Sequence, residues 1–348
     1  MKILIAVGAV NALYFAILTL AKRHRAVADL VLTVLLGLVG LCFGLVYLAL
    51  EYDELVLLLP LEFTNLLFSP LFYAYVVAMV EGRFDRRILW HSLPFGFSTL
   101  YLLEILWLLS EVEIRLLFET ATLAEGAILF NTFTILDRVS PPLYLALSWR
   151  LLRRHQRDVA ERFSYRESVD FLWLQPFLIA VAFAWVVIDL PLLGSAVIGG
   201  LTLQQSLAMG FSLATLMVFY VGYHGVRQQP VPVTIKPTPD ASGIEQRRYL
   251  RSGLTDDEVR RHTERLLGVM KTDRPHLEPD LTIRDVAQAL ELSEHNASQV
   301  INVGLGTSFY DLVNRYRVDE FKRRVALPEN EHRTLLAVAL ECGFRSKS

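Results

Sequence analysis

Residues 292–302, LSEHNASQVIN, carry a dense set of side chains that can donate and accept hydrogen bonds. Helical spacing turns Val300 and Ile301 inward. The outward side chains are then those of His295, Asn296, Ser298, Gln299 and Asn302. Groups of this kind at the start of a helix can pair with base edges in the major groove of DNA. The pattern leaves two interpretations open, base recognition and a polar face in water.

The flanking residues predict a helix-turn-helix around this stretch. Thr282 is placed to cap a first helix, residues 291–293 form a short turn, and Ser293 caps the second helix. The first helix turns apolar side chains inward at Ile283, Val286, Ala287 and Leu290. Two short helices joined by about three residues place the second one in the major groove, N-terminal residues toward the bases.

Two further amphipathic helices frame this motif. Upstream, Thr255 and Glu258 form a capping box before a helix that carries Val259, Leu266, Leu267 and Met270. Downstream, residues 308–327 are expected to bury Phe309, Leu312, Val313, Tyr316 and Phe321. The same helix is expected to expose Arg315, Arg317, Lys322, Arg323 and Arg324. This basic face suits either solvent or DNA phosphates.

The chain in front of this polar region is strongly apolar. Of 348 residues 53% are hydrophobic and 20% charged, and mean hydropathy is +0.39. About 20 apolar residues span a bilayer as a helix. Seven such stretches are predicted, near 3-21, 30-50, 60-80, 88-109, 127-149, 171-193 and 205-226. The sequence therefore predicts an all-α chain with a seven-helix membrane part and a polar C-terminal part.

Loop charge predicts the orientation of the spans, because Lys and Arg stay on the cytoplasmic side. Connections two, four and six carry Arg115 alone. Connections one, three and five carry Lys22, Arg23, Arg25, Arg83, Arg86, Arg87, Arg150, Arg153, Arg154, Arg157, Arg162 and Arg166. The spans are expected in the inner (cytoplasmic) membrane. The N-terminus is expected outside the cell membrane, and the C-terminal domain in the cytoplasm.

Several residues within the spans have both a functional and a structural interpretation. Gly37, Gly40 and Gly44 share a helix face, which predicts either close helix packing or a ligand pocket. Asp137 and Arg138 either form an ionisable site at membrane depth or lie near the outer interface, if the span starts near Thr134. The acidic residues near outer span ends either lie at the interface or line a signal pocket: Glu62, Glu104 and Asp189.

A proline-rich tether separates the two parts. Residues 228–242, QQPVPVTIKPTPDAS, contain four prolines that break helix and sheet alike. The predicted domains are a membrane sensor over 1-227, a linker over 228-248 and a helix-turn-helix domain over 249-348. From Gln228 onward there are 18 basic and 18 acidic residues, so this part lacks the net positive charge that assists DNA binding.

Three consecutive segments resemble the AraC/XylS-type transcriptional regulators: LTIRDVAQALELSEHNASQVIN, SFYDLVNRYRVDEFKRR and LLAVALECGFRSKS. Their order and spacing match over about residues 249–348. The upstream part, with SPLFYAYVVAM and WHSLPF, is similar to the seven-helix membrane sensor fused to some of these regulators. The resemblance implies a double helix-turn-helix DNA-binding domain.

The resemblance also implies roles for individual residues. His295, Ser298 and Gln299 would face bases, and Arg317 would support packing or contact phosphate. Ala339, Gly343 and Phe344 match the second turn, after which Arg345, Ser346, Lys347 and Ser348 open a second recognition helix. Ala297 stands where the family usually has Leu, and Glu291 where it often has Gly. The second unit is expected to be incomplete at Ser348.

Together these features predict a bacterial, membrane-embedded transcription regulator whose predicted DNA contacts are Ser293, His295, Asn296, Ser298, Gln299, Asn302, Arg317, Arg345 and Lys347. The alternative is a membrane receptor or transporter whose tail binds protein and not DNA. Expected partners are promoter DNA and the lipid bilayer, with RNA polymerase, a second copy of the chain and an unidentified signal ligand as further candidates. Cys42 and Cys342 are expected to be reduced and structural. No nucleophile, metal cluster or phosphate-binding loop is found, so neither enzyme activity nor a cofactor is expected.

Overall fold

The computed structural model describes residues 2–52, 61, 63–108, 127–165, 171–193, 203–228 and 254–345. It is 83% helix, with no strand among the described residues, which confirms the all-α prediction. Glu62, Arg115, Lys347 and nearly all of the 228-248 linker lie outside these residues, as do the side chains of residues 187–193, including that of Asp189.

The chain divides into two compact units. The first, here called the apolar unit, comprises Met1–Leu152 and Leu172–Ile235. The second, here called the polar unit, comprises Arg153–Phe171 and Lys236–Ser348. The division departs from the predicted domains at one point, because residues 153–171 of the fifth connection belong with the C-terminal part of the chain.

A helix lies at each of the seven predicted spans. The helices of the apolar unit are α1 (Lys2–Leu20), α2 (Val27–Tyr52), α3 (Asn65–Glu81), α4 (Leu93–Leu108), α5 (Ala127–Arg162), α6 (Leu174–Leu193) and α7 (Leu203–Arg227), with a 3-10 helix over Arg86–Ser92 before α4. The start of α5 lies in the apolar unit and its end in the polar unit.

Three helical segments of the described chain are long and apolar enough to cross a membrane. They are Lys2–Leu20, Val27–Tyr52 and Met209–Arg227, with mean hydropathies of 2.3, 2.5 and 1.3. Asn65–Glu81 and Leu174–Val186 are apolar but shorter. Much of the outward surface of these helices is apolar; in α1, Ile3, Val10 and Ile17 are each more than 60% exposed.

Close packing in the apolar unit depends on glycines that the sequence identified only in part. A Cβ atom on Gly40 would lie 2.9 Å from the Leu13 side chain, whereas one on Gly37 or Gly44 would meet nothing within 4 Å. A Cβ atom on Gly222 of α7 would lie 2.3 Å from an aromatic ring of α1. The predicted role in close packing therefore holds for Gly40 alone among the three.

The first connection is tied to the end of α7 by Lys22. Its Nζ donates to the Asp29 carboxylate at 2.6 Å and to the carbonyls of Gly225 and Gln228 at 2.7 and 3.0 Å. The last carbonyls of a helix have no partner within it and attract cations. Lys22 therefore caps α7, and the first connection lies at the same end of the unit as the exit from α7.

Asp137 has a structural role at a helix N-terminus. Its carboxylate accepts from the Asn65 side chain at 2.8 Å and from the Leu66 backbone N–H at 3.2 Å, at the start of α3. Ser140 donates to the Asn65 carbonyl at 3.2 Å. A carboxylate at a helix N-terminus is favourable. These contacts favour the structural interpretation of Asp137 over that of an ionisable functional site.

The polar unit is a bundle of short capped helices. They are α8 (Asp256–Thr272), α9 (Ile283–Leu290), α10 (Glu294–Gln299), α11 (Phe309–Val325) and α12 (Leu335–Glu341), with a π-helical turn over Val300–Gly304 directly after α10 and 3-10 helices over Pro275–Leu277 and Pro328–Asn330. The helices α8 to α11 enclose one core, which includes Leu266, Met270, Val286, Leu290, Val300, Ile301, Phe309 and Val313. The inward faces predicted for α9 and α10 are the buried ones; in α11, Phe321 is only partly buried.

Candidate nucleic-acid interface

The turn between α9 and α10 is closed by Glu291 in the left-handed conformation, with φ of 58°. Its N–H donates to the Gln288 carbonyl at 3.1 Å, and the N–H of Leu292 donates to that of Ala287 at 2.9 Å. Its carboxylate pairs with Arg265 at 3.3 Å. The turn that usually contains glycine is therefore formed here without one, at the steric cost of a left-handed L-residue.

The helix α10 presents a polar surface at its N-terminal end. Ser293 caps it by accepting from the Asn296 N–H at 3.2 Å. His295 and Asn302 are exposed, and Asn296 and Ser298 are half-buried. The Asn302 amide donates to the Ser298 hydroxyl at 3.3 Å. The structure thus places these five predicted residues on α10, on its cap and on the π-helical turn that follows, around the fully buried Ala297.

Gln299 has a different position from the one the sequence suggested. Its Oε1 accepts from the Leu254 backbone N–H at 3.0 Å, and its Nε2 donates to the Leu254 carbonyl at 3.1 Å. Both polar atoms of the amide are therefore paired with the chain entering α8. We infer that Gln299 holds the backbone at Leu254 against the end of α10, and that it does not recognise bases.

Arg317 is the largest fully buried side chain among the described residues, with 1% of its surface exposed. Its Nε donates to the His276 carbonyl at 2.8 Å, and its Nη2 to the Glu278 carbonyl at 2.7 Å. Burial lowers the pKa of the guanidinium to about 10, an effect that Tyr310 and Asp280 partly oppose. The predicted exposure of Arg317 is wrong, and of its two predicted roles, packing and phosphate contact, burial favours packing.

The turn before the expected second recognition helix rests on the same region. Gly343 has φ of 87°, and a Cβ there would lie 2.3 Å from the His276 carbonyl oxygen and 2.9 Å from the Arg317 Nε. Both conformation and space therefore require glycine. Arg345 is exposed, pairs with the Asp280 carboxylate at 2.5 Å, and stands 4.2 Å above the centre of the Tyr165 ring.

The positive charge of the basic face of α11 is partly neutralised by a buried carboxylate of the same helix. Glu320, which is 7% exposed, pairs with Arg274, Arg323 and Arg324. The hydrogen bonds from Arg323 hold the pKa of the Glu320 carboxyl well below its usual range, and those from Arg324 and Arg274 add to the effect. Arg315 and Lys322 are exposed on this helix, as predicted, and neither of them pairs with Glu320.

Sequence reasoning missed residues 161–165, which lie against this site. Ser164 is 1% exposed and shares hydrogen bonds with Leu281 and Arg317, and Tyr165 lies under Arg345. The sequence signal was weak: the two aromatic residues Phe163 and Tyr165 interrupt an otherwise charged connection.

Comparison with protein-family models, with curated proteins and with solved structures finds no match to this chain. The geometry of the polar unit thus stands on its own. Its helix-turn-helix presents polar side chains outward from α10 and exposed cations from α11. Within the described residues no group of three or more His, Cys, Asp or Glu side chains could hold a metal ion.

Proposed function

We propose that this protein is a membrane-embedded, sequence-specific DNA-binding regulator of transcription. The observation that carries the proposal is the exposed polar end of α10, held in place by a buried core and by its Ser293 cap. In a helix-turn-helix this end enters the major groove. His295, Asn296, Ser298 and Asn302 would contact bases, while Arg315 and Lys322 would contact phosphates.

The membrane part of the proposal rests on the apolar unit. Three helices with the required length and hydropathy support it, together with four more at predicted spans. The proposed topology has seven spans, with the N-terminus outside and the polar unit in the cytoplasm, because twelve of thirteen basic residues fall in the odd connections. The apolar unit would receive a signal, and the polar unit would act on a promoter.

The test is selection of DNA from a random duplex library by the full chain in phosphatidylcholine nanodiscs at low salt. We expect an enriched sequence whose affinity falls steeply as salt rises. His295→Ala and Ser298→Ala should each relax the preference at one or two base pairs, at a cost of about 1–3 kcal/mol for the preferred base. The absence of any salt-dependent, sequence-preferring binding would sink the proposal.

A matched control is available on the same unit. His332 is exposed like His295 but lies before α12, outside the first helix-turn-helix. His332→Ala should leave the selected sequence and its affinity unchanged. Gln299→Ala should loosen the chain at Leu254 without changing base preference, because the Gln299 amide is paired there.

The neutral charge balance of the polar part favours a second candidate, a membrane receptor whose tail binds protein. With 18 basic and 18 acidic residues from Gln228 onward, this part has no net attraction for DNA. This candidate predicts a protein partner, retained by the full chain in the absence of DNA, and indifference of that binding to His295→Ala. A second copy of the chain and RNA polymerase are the partners to examine first.

A further inference from the structure

Residues 161–165 pair with the polar unit through their backbone. Phe163 forms an antiparallel bridge with Thr282, the residue that caps α9. The N–H of Ser164 donates to the Leu281 carbonyl at 3.3 Å, and its hydroxyl donates to the same oxygen at 2.7 Å. The segment therefore lies along the chain that leads into the first helix of the helix-turn-helix.

Arg317 holds the same segment from the other side. Its Nη1 donates to the Ser164 carbonyl and its Nη2 to the Ser164 hydroxyl, both at 3.0 Å. The Asn314 amide donates to the Ser164 carbonyl at 3.2 Å. The structure shows no carboxylate within ion-pair distance of Arg317 among the described residues, so neutral oxygens carry this buried charge. Two of them come from Ser164, which makes the segment an integral part of the Arg317 site.

The two ends of the segment reach residues of both expected recognition elements. At one end the Tyr165 ring lies 4.2 Å below the Arg345 guanidinium, a cation–π contact. At the other end, burial and Asp158 raise the pKa of the Glu161 carboxyl, while Arg162 and His295 lower it. Tyr165 and Asp280 together contact the guanidinium of Arg345, a residue that the sequence predicts as a DNA contact.

We propose that residues 161–165 are an internal ligand of the polar unit, which binds beside Thr282 and Arg317 and under Arg345, and competes there with DNA. The inference rests on the proposed function. Residues 161 and 162 are the last two of α5, and residues 163–165 follow them directly, so the segment is covalently continuous with a helix that begins in the apolar unit. A signal received by the apolar unit would release or tighten the segment by this route.

The first arm of the test weakens the segment in the full chain. The protein is placed in phosphatidylcholine nanodiscs, and the probe is a fluorescent mixed-sequence 30-base-pair duplex at 50 mM salt. Tyr165→Ala removes the ring under Arg345 and should tighten DNA binding about tenfold, the scale of one charge-assisted contact. Tyr165→Phe keeps the ring and should bind like the unchanged chain. A misfolded variant would lose affinity, so a gain cannot arise from damage.

The second arm locks the segment in place. Facing residues of an antiparallel pair are close enough for a disulfide, so Phe163→Cys with Thr282→Cys should cross-link on oxidation. The oxidised chain should bind the duplex about tenfold more weakly than the same chain after reduction. Phe163→Cys alone should show no such redox dependence. Hydrogen exchange at the Ser164 N–H reports docking of the segment independently of DNA.

The outcomes separate the two proposals. Tighter binding by Tyr165→Ala, with weaker binding by the oxidised double variant, supports the internal ligand. Equal DNA affinity in the unchanged, Tyr165→Ala and cross-linked chains overturns it and leaves the proposed function standing. No DNA binding by any of them, even with Tyr165→Ala, overturns the proposed function and the competition with it.

Discussion

The two units of this protein begin their helices in different ways. Each of the five α-helices that begin within the described residues of the polar unit starts at a Ser or Thr. Thr255, Ser293, Ser308 and Thr334 accept a backbone N–H with their side chains, and at Thr282 the Asp285 carboxylate accepts from the N–H and the hydroxyl. In the apolar unit, Thr64 precedes α3 but makes no cap with its side chain, and Asp137 of α5 supplies the partner. Helix ends in the polar unit are satisfied locally, whereas α3 and α7 of the apolar unit depend on side chains from distant parts of the sequence.

The two units also differ in the residues that surround an exposed apolar side chain. Val10 of α1 is 66% exposed among other exposed apolar side chains, while Val303 of the polar unit, at 64%, is surrounded in sequence by polar or small residues. In the proposed membrane protein, the same degree of exposure would mean contact with lipid in the apolar unit and with water in the polar unit. Four predictions, three of them with a paired variant, test these differences between the units. They are given in order of decreasing expected effect.

Arg317→Ala should destabilise the polar unit by about 4 kcal/mol. It leaves the buried carbonyls of His276, Glu278 and Ser164 without their donor, and each unmet buried group costs about 1–3 kcal/mol, with partial relief from entering water. The measurement is hydrogen exchange of the α11 amides in the full chain in nanodiscs. Exchange in α1 and α2 should not change.

Arg317→Lys is the informative comparison for that result. A lysine keeps the charge but cannot place its donors in the planar fork that reaches three carbonyls, so it should recover less than half of the loss. Stability equal to that of the unchanged chain in both variants would show that the carbonyls find other donors and that Arg317 is not a structural centre.

The positions of the helices could largely be predicted from the sequence. Apolar runs of about 20 residues located the seven α-helices described in the apolar unit, and Ser and Thr followed by acidic residues located several helix starts in the polar unit. Both signals are local: one counts apolar residues, and the other recognises a cap by its neighbours three positions on. The buried faces of α9 and α10 followed from helical period for the same reason.

The contacts between distant parts of the sequence could not be predicted in this way. Arg317 looked like one more surface arginine, because nothing near it in sequence shows that Ser164 and Glu278 supply acceptors. Gln299 looked like a base contact, because its pairing with Leu254 spans 45 residues. The fifth connection looked like a basic loop. In each case the environment of a polar side chain depends on a segment that is distant in sequence, and helical periodicity does not predict where that segment lies.

Val10→Arg and Val303→Arg form the sharpest matched pair across the two units. At the centre of a membrane-spanning helix an arginine costs about 3 kcal/mol on insertion, whereas an exposed position in water costs about 0.5 kcal/mol or less. We expect Val10→Arg to reduce the membrane-inserted fraction strongly and Val303→Arg to leave it unchanged, as measured by alkali extraction of membranes. Equal insertion of both variants would contradict the assignment of α1 to lipid.

Glu320→Gln tests the charge cluster of the polar unit and should cost about 2 kcal/mol, because three arginines lose their shared anion while remaining partly hydrated. The pKa of Glu320 is lowered on folding, so its contribution is complete above the ordinary value of 4.5 and is lost as pH falls below it. The protection of the α11 amides, which is the intrinsic exchange rate at each pH divided by the observed rate, should therefore fall in the unchanged chain below pH 4.5. In Glu320→Gln this acid-dependent component should be smaller; an identical acid dependence would refute the assignment.

Glu291→Gly should have the smallest effect and the opposite sign. Relief of the left-handed conformation of Glu291 should stabilise the fold by about 1–2 kcal/mol. The greater freedom of glycine in the unfolded chain opposes this by up to about 1 kcal/mol, and loss of the exposed ion pair with Arg265 costs little. The expected net stabilisation is about 0.5 kcal/mol. Glu294→Gly, three residues on in the first turn of α10, is the control and should destabilise by up to about 1 kcal/mol, because φ is helical there. The amides of α9 report both changes by hydrogen exchange. If Glu291→Gly also destabilises, the ion pair with Arg265 outweighs the backbone cost, and this turn is held by charge from α8, in the way that α3 and α7 are held from outside in the apolar unit.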